Sequence, residues 1–331
     1  MAVIKPKPEK VVDFFLALLQ RELVIPNLIT RVGDEFFVGA KDDTVTLRIP
    51  GLYATARDYE WRTRTADIQF DDIYGGDGVT VRLDTHSYSA TELTDEHMTL
   101  DEIEFASEVL TPQVAAVTNR FEAKALAGFR GANVKHSLSF GAGDDPHLVA
   151  LEAKRLMDAD KVAPQSGRTF LVGTDIAAQF LASDRLSLAT SLGNDAANAA
   201  VRDSVVGRLA GSNVVVSTSL DPAEGYYFHK TGVVLGSVAP KVPTGAVTGA
   251  RLSRNGYAVR WLQDYYANRL VDRSIVSAFL GVNDVRDERN ADGTLVEEVA
   301  DDDGAGPHTA TVRHNVRIVK LTGEAGPVFG G

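Results

Sequence analysis

Hydrophobic positions along this chain follow two periods, and the switches between them outline its elements. Val11, Val12, Phe15, Leu18, Leu19 and Leu23 recur at helical spacing, which predicts a helix over residues 11–23 that ends before Pro26. Lys5, Lys7 and Lys10 precede it with two prolines, a composition that resists folding alone. The helix reads as an arm that packs on its own subunit or on a neighbour. Asp13 and Glu22 offset the positive charge that would draw it to an anionic lipid surface. From residue 33 to residue 98 the period drops to two. Val45, Leu47 and Ile49 alternate with Thr44, Thr46 and Arg48, and Val79, Val81 and Leu83 alternate after the turn Gly75-Gly76-Asp77-Gly78. Roughly 25–30 residues bridge the two strands, far beyond hairpin length, and such an insertion needs a function or a partner to order it. A lone two-stranded ribbon buries too little surface to be stable by itself, so residues 33–98 read as built to lie on another molecule.

A helical period returns at residue 99. Thr99-Leu100-Asp101-Glu102 forms a capping box, with Met98 and Ile103 as its hydrophobic staple. Ile103, Ala106, Leu110, Val114, Val117 and Phe121 follow at intervals of three and four, predicting one amphipathic helix over residues 100–127, closed by Gly128 and Gly131. It would be ~40 Å long at ~1.5 Å per residue. Pro112 should bend it by removing a backbone donor. A second helix is predicted over residues 147–159, a short one begins at Thr174 or Asp175 and carries Ile176, Phe180 and Leu181, and an Ala-rich one lies at 195–202. Short strands are predicted at 169–172, 213–217, 226–228, 232–235, 256–262 and 274–281, which is α+β rather than a βαβ alternation. After Asn283 the chain turns polar and acidic through Asp301-Asp302-Asp303. It ends in an alternating segment, 309–321, with Val312, Val316 and Ile318 on one face, which needs a sheet to join.

The composition narrows the function. With 44% hydrophobic residues, most of the 331 positions can build a core, of one large domain or of two to three smaller ones. The absence of cysteine excludes a disulfide framework, thiolate catalysis and Cys-ligated zinc or iron–sulfur sites. A net charge of −11 makes the chain a poor candidate for wrapping duplex DNA. No apolar stretch approaches the ~20 residues of a membrane span. Residues 11–19 contain Asp13 and lack a small-residue cleavage site, so the chain is expected to be soluble and unprocessed at this end.

Motifs that carry chemistry are missing. There is no Walker A motif, HExxH or GxSxG, and Gly75–Gly78 is not followed by a helix that would cradle phosphate. None of His86, His97, His136, His147, His229, His308 and His314 pairs with another at i, i+3 or i+4. The run from Glu288 to Gly293 resembles the start of a calcium loop, but Val299 stands where a bidentate Glu belongs. Asp301–Asp303 reads as a solvated charge run, and neither Asp71-Asp72 nor Asp144-Asp145 has a general-base partner nearby. No catalytic residue, metal ligand or cofactor site is assigned.

The order of parts is the informative feature: arm helix, long ribbon, capped helix, compact α+β module, returning strands. Several segments carry the same likeness. They are Val162-Ala163-Pro164 through Arg168 and Val172, then Gly207-Arg208-Leu209-Ala210-Gly211 before Val214-Val215-Val216-Ser217, and Phe228-His229-Lys230-Thr231-Gly232-Val233-Val234-Leu235 with Ala239-Pro240. From residue 11 to residue 286 the chain resembles the major capsid proteins of tailed bacteriophages with the HK97-type fold, in particular the P22 coat-protein-like family. The resemblance implies an N-terminal arm (1–32), an extended β-ribbon loop (33–98) and a peripheral domain (99–165) with its spine helix at 100–127. It further implies an axial domain (166–253), return strands to the peripheral domain (254–286) and a C-terminal extension (287–331) outside the family core.

It also implies a non-enzymatic coat protein that self-assembles into hexamers and pentamers of an icosahedral shell around phage double-stranded DNA. The expected location is the virion, with assembly in the host cytoplasm. Scaffolding, portal and decoration proteins are the further partners, packaged DNA is met only through weak non-specific contact, and no membrane is involved. Phe15 and Leu19 in the arm, with Arg57, Asp58, Tyr59, Glu60, Trp61, Arg62, Arg64 and Asp67 in the ribbon, are the expected inter-subunit contacts. The mixed charges would set register and the aromatics would anchor. Lys41 is the sole lysine between residues 11 and 123 and precedes the ribbon's first strand, so no isopeptide cross-link to a neighbour is expected, and denaturing electrophoresis of particles would show no covalent ladder. Three rivals remain: an encapsulin-like compartment shell, an α+β enzyme with an unrecognised site, and a phage tail or baseplate component.

Overall fold

The apolar stripe of the arm is satisfied inside its own chain. The computed structural model describes residues 8–37, 44–48, 58–59, 61–62, 67–68, 78–94, 105–141, 144–162, 167–182, 208–246, 248–287 and 313–323. Helix α1 (Pro8–Glu22) buries Val11, Val12, Phe15, Leu16 and Leu19. A short turn of helix, α2 (Ile25–Leu28), strand β1 (Thr30–Val32) and the turn α3 (Asp34–Phe37) complete the N-terminal part. The ribbon consists of β2 (Thr44–Arg48) and β3 (Gly78–Arg82), antiparallel from Thr44↔Arg82 to Arg48↔Gly78.

Strand β4 (Thr85–Thr94) departs from the expected ribbon. Rather than waiting for a neighbour, it pairs along its whole length with β13 (Val271–Asp284), from Thr85↔Leu280 to Thr94↔Val271. The expected extended loop is therefore anchored in its own sheet at its C-terminal end. The remainder of that sheet is β1, β10 (Val233–Val238), β13, β12 (Tyr257–Tyr266) and β11 (Thr248–Arg254), in the order β1-β10-β13-β12-β11.

The long helix lies across this sheet. Residues Phe105–Leu110 form a π-helical turn, and α4 (Thr111–Arg130) continues from it. The expected bend at Pro112 thus takes the form of a change in hydrogen bonding. Proline sits in the first turn of α4, where a missing N–H costs little, and the helix runs three residues beyond the expected end at Ala127. The expected capping box at 99–102 lies outside the described residues. Val114, Val117, Phe121, Ala125 and Phe129 form the buried stripe of α4, shared with α1 and with Tyr257, Val259, Trp261, Val276 and Leu280 of the sheet. Gln113 ties helix to sheet by donating to the Ser274 carbonyl at 2.9 Å and accepting from the Ser274 hydroxyl at 3.0 Å. Gly128 permits close packing, since a Cβ there would stand 2.4 Å from Val282 Cγ2.

A second sheet contains β5 (Val134–Phe140), β6 (Arg168–Val172), β7 (Arg208–Leu209), β8 (Ser212–Val216), β9 (Glu224–His229) and β14 (Asn315–Gly323). Its order is β5-β14-β9-β6-β8-β7. Helices α5 (Pro146–Ala159) and α6 (Thr174–Ala182) supply Ala150, Ala153, Met157, Ile176, Ala177 and Phe180 to its core. Asp145 caps α5 by accepting from the His147 amide at 2.9 Å. The Ala-rich segment 195–202 lies outside the described residues.

Two expected boundaries are corrected by this topology. Strand β5 and helix α5, expected in the peripheral domain, belong to the second sheet, whereas β10 and β11, expected in the axial domain, belong to the first. A border between residues 253 and 254 would cut the β11–β12 hairpin at Arg254↔Tyr257. Part of the expected C-terminal extension, residues 315–323, joins the second sheet. Strand β14 lies between β5 and β9 with Val316, Ile318, Val319 and Leu321 fully buried, so both of its faces are core and the expected one-sided alternation does not hold.

The two sheets meet around the end of α4. Phe129 packs on Tyr226 and Phe228 at ring-centroid distances of 5.2 and 4.7 Å. Next to it Arg130 grips Glu224 with Nη2 at 2.6 Å and reaches Asp221 at 3.0 Å. Burial alone would push the Glu224 carboxyl up, but the hydrogen bonds from Arg130 and from the Tyr226 hydroxyl prevail and hold it below the usual range. The same desolvation, reinforced by Glu224, pushes the Tyr226 phenol up.

Candidate assembly interface

Of the expected contact residues, the structure describes Phe15, Leu19, Asp58, Tyr59, Trp61, Arg62 and Asp67. Arg57, Glu60 and Arg64, together with Lys41, lie outside the described residues. The two arm positions are corrected. Phe15 is 2% exposed and Leu19 is 0% exposed, both inside the cluster that joins α1 to α4 and the first sheet. A side chain already stripped of water by its own chain has no surface left for a neighbour, and each is worth about 1.5–3 kcal/mol of burial to the subunit itself.

The ribbon positions are the opposite. Asp58, Tyr59, Trp61, Arg62 and Asp67 are all exposed, with Trp61 at 67% and Tyr59 at 44%. The Arg62 guanidinium lies 5.0 Å from the Trp61 ring centroid, a cation–π arrangement that presents ring and charge together. Ile68, which the sequence reading passed over, is 66% exposed beside them. Its signal was available as a lone branched residue in a polar run, Ala66-Asp67-Ile68-Gln69.

The base of the ribbon is fixed to the body. Val79 and Val81 pack with Val32, Val234, Val285 and Phe37, and the Asn283 amide donates to the Thr80 carbonyl at 2.7 Å. At Gly281 the ribbon crosses β13 so closely that a Cβ would stand 2.1 Å from the Arg82 carbonyl oxygen. Just beyond, Asp84 accepts from Lys124 of α4 at 2.8 Å and from Thr85 at 2.9 Å. Desolvation pushes the Asp84 carboxyl up, but these bonds and the Lys124 charge hold it below its usual value.

A second exposed surface lies on the first sheet, on the face away from α4. Alternation along β4 places His86, Tyr88, Ala90 and Glu92 on one exposed face, Tyr88 being 67% exposed. Opposite them in register stand Phe279, Ser277, Ile275 and Arg273, and Arg260 donates to the Ser277 hydroxyl at 3.0 Å from the next strand. His86 packs on Phe279 in a tilted arrangement with ring centroids 4.4 Å apart, and burial, with the charge of Arg260, holds its pKa down. The surface combines aromatic faces with Arg260 and with Arg273, which is itself paired with Asp264 at 3.2 Å.

A cavity of about 280 Å³ opens between the α1–α2 junction, α4 and the β8–β9 connection, and its lining of Glu22, Thr118, Asn119, Glu122, Ser217 and neighbours contains no His, Lys or Arg. Buried Glu122 is used structurally. It accepts from the amides of Val24 and Ile25 at the break between the first two helices, and burial pushes its pKa up in spite of these bonds. Among the described residues no group of three or more His, Asp or Glu side chains is placed to hold a metal, and no helix is long and apolar enough to cross a membrane.

No family model and no curated protein matches the sequence. Solved structures do match. A chain from Mycobacterium phage Che8 is 18% identical, with 91% of each chain covered and a TM-score of 0.57. The capsid structure of cyanophage P-SCSP1u is 11% identical over 91% of this chain and 88% of that one, with a TM-score of 0.58. The mature capsid of bacteriophage PhiM1 is 11% identical over 92% and 88%, at 0.56. At these identities the likeness is one of fold, and it spans both sheets and the long helix: the chain has the α+β architecture, of HK97 type, on which these phage structures are built.

Proposed function

We propose that this chain is a major capsid protein of a tailed bacteriophage, self-assembling into rings of five and six that close an icosahedral shell around double-stranded DNA. The observation that carries the reading is the exposed ribbon tip, with Tyr59, Trp61 and Ile68 presented to solvent on a fold shared with phage capsid subunits. Exposed aromatics between the ribbon strands suit a repeated head-to-tail contact between copies, where such side chains serve as anchors. The receiving surface in this proposal is the β4–β13 face of the next copy. Trp61 meets Tyr88 and Phe279 there, and Asp58 and Asp67 meet Arg260. Aromatic anchors supply affinity and the charges supply register.

The role is structural and not catalytic. Scaffolding, portal and decoration proteins act with the shell, DNA is contained without a specific grip, and assembly precedes release from the host cytoplasm. Negative-stain microscopy of the purified 35.6 kDa chain tests the reading. Closed particles or rings of five and six support it, and their contents, nucleic acid or enzyme, separate a capsid from a cellular compartment. Tubes would assign the chain to a tail, and a small soluble oligomer would refute the shell altogether.

A further inference from the structure

Strand β14, the last among the described residues, occupies a central place in the second sheet. Strand β14 is parallel to β5, through Leu321↔Leu138, and antiparallel to β9, through Leu321↔Gly225 and Val319↔Tyr227. Without it the second sheet is two pieces, β5 alone and β9-β6-β8-β7. Its side chains serve two cores. Ile318 joins the cluster around Phe129, Tyr226 and Phe228, whereas Val316, Val319 and Leu321 join Ala150, Ala153, Met157 and Phe170.

The strand also clamps the point where the chain passes from the second sheet to the first. Between β9 and β10 lies the turn Lys230-Thr231-Gly232. The fully buried Asn315 donates to the Gly232 carbonyl at 2.9 Å, and Arg317 donates to the Thr231 hydroxyl at 2.5 Å. The same guanidinium is paired with buried Asp287, its Nε donating at 2.7 Å, and Gly232 in turn accepts from the Val285 amide at 3.0 Å. A Cβ on Gly232 would stand 2.9 Å from Ile318 Cγ1. Outgoing and returning chain are tied as well, the Asp287 amide donating to the His314 carbonyl at 3.1 Å.

From this placement we infer that residues 313–323 are the completing strand of the subunit: until they insert between β5 and β9, the second sheet and its junction with the first do not form, and the chain is incompetent to associate. The inference about association rests on the proposed shell function, while the inference about folding does not.

The test compares the full chain, a chain stopped after Val312, and the stopped chain supplied with a synthetic peptide of residues 313–323. Amide hydrogen exchange in β5 and β9 should accelerate at least about a hundredfold in the stopped chain, with no particles formed. The peptide should restore both protection and particles. As a guard against simple aggregation of the stopped chain, a full chain with a protease site placed within 288–312 is folded, cut and tested. It should keep its protection and its ability to associate, and lose both when unfolded and refolded after removal of the released C-terminal fragment. Protection and particles in the stopped chain equal to those of the full chain would overturn the inference. So would failure of the cut chain to keep its protection before the fragment is removed. Should the full chain itself form no particles, the shell reading fails, and exchange in β5 and β9 still decides whether the strand completes the fold.

Discussion

The arm helix and the ribbon tip carry the same kinds of residue into opposite surroundings. Both combine large apolar side chains with charges of both signs, and the sequence alone points both toward neighbouring copies. In α1 the apolar stripe at Val11, Phe15 and Leu19 finds α4 and β12 within its own chain and is sealed there. Between the ribbon strands, Tyr59, Trp61 and Ile68 are exposed. The difference teaches that amphipathic periodicity specifies that a face will be covered without saying by whose atoms. A helix carries its stripe on one face and can lay it against any nearby core. A two-stranded ribbon has no interior of its own in which to bury apolar groups beyond the anchored base.

Substitutions sharpen this contrast, beginning with the arm. Phe15→Ala should cost the isolated subunit about 3–5 kcal/mol in chemical denaturation, because a cavity opens between α1, α4 and the first sheet. A loss below about 1 kcal/mol would mean that the arm is covered by a neighbour after all. Next in size, Gly281→Ala should cost about 1–3 kcal/mol, since the new methyl collides with the Arg82 carbonyl where the ribbon crosses β13. Its signature is faster amide exchange in β3 and β4 with the second sheet unaffected.

Trp61→Ala should leave the subunit's denaturation midpoint nearly unchanged, within about 0.5 kcal/mol. The same change should weaken association by about 2 kcal/mol per contact, read as a higher critical concentration for assembly. A destabilised monomer would instead place the tip on its own body.

The effects of pH have opposite signs at two carboxylates. The Glu224 pKa lies below its usual value, so its contribution is present above that value and is lost as the pH falls through the lowered one. Glu224→Gln should therefore remove part of the acid destabilisation of the α4–β9 junction, at a cost of about 1–3 kcal/mol near neutrality from the lost charged hydrogen bonds. Glu122 lies above its usual value of 4.5, so its contribution is complete below that value and declines as the pH rises through the raised one. Glu122→Gln should accordingly gain on the natural chain as the pH is raised toward neutrality, a trend readable in thermal melts across pH 4 to 7.

Much of this architecture was legible from period alone, and the failures share a physical cause. The stripes of α1 and α4, the buried runs of β6, β9 and β10, and the alternation of β2 and β3 all stood out. Strand β4 did not, because its sequence, Thr-His-Ser-Tyr-Ser-Ala-Thr-Glu-Leu-Thr, buries only Ser87 and Leu93 and is held by the β13 backbone, not by apolar side chains. Its exposed face, with Tyr88, was missed for the same reason, although Tyr59 and Trp61 were found from residue type. Strand β14 looks one-sided in sequence because Arg317 and Lys320 interrupt its apolar residues. Arg317 is buried with Asp287, a partner thirty residues away that no local pattern reveals. Phe15 and Leu19 were misplaced because the identity of the covering surface is a property of the tertiary fold.

The two tryptophans allow the central claim, that the ribbon tip is covered only by another copy, to be measured without labels. Trp261 is 2% exposed inside the first sheet and Trp61 is 67% exposed on the tip. Acrylamide quenching of a Trp261→Phe chain, in which Trp61 alone emits, should be strong in dilute subunits and fall in assembled particles toward the weak quenching of Trp261 in a Trp61→Phe chain. Equal, strong quenching of Trp61 before and after assembly would contradict the account.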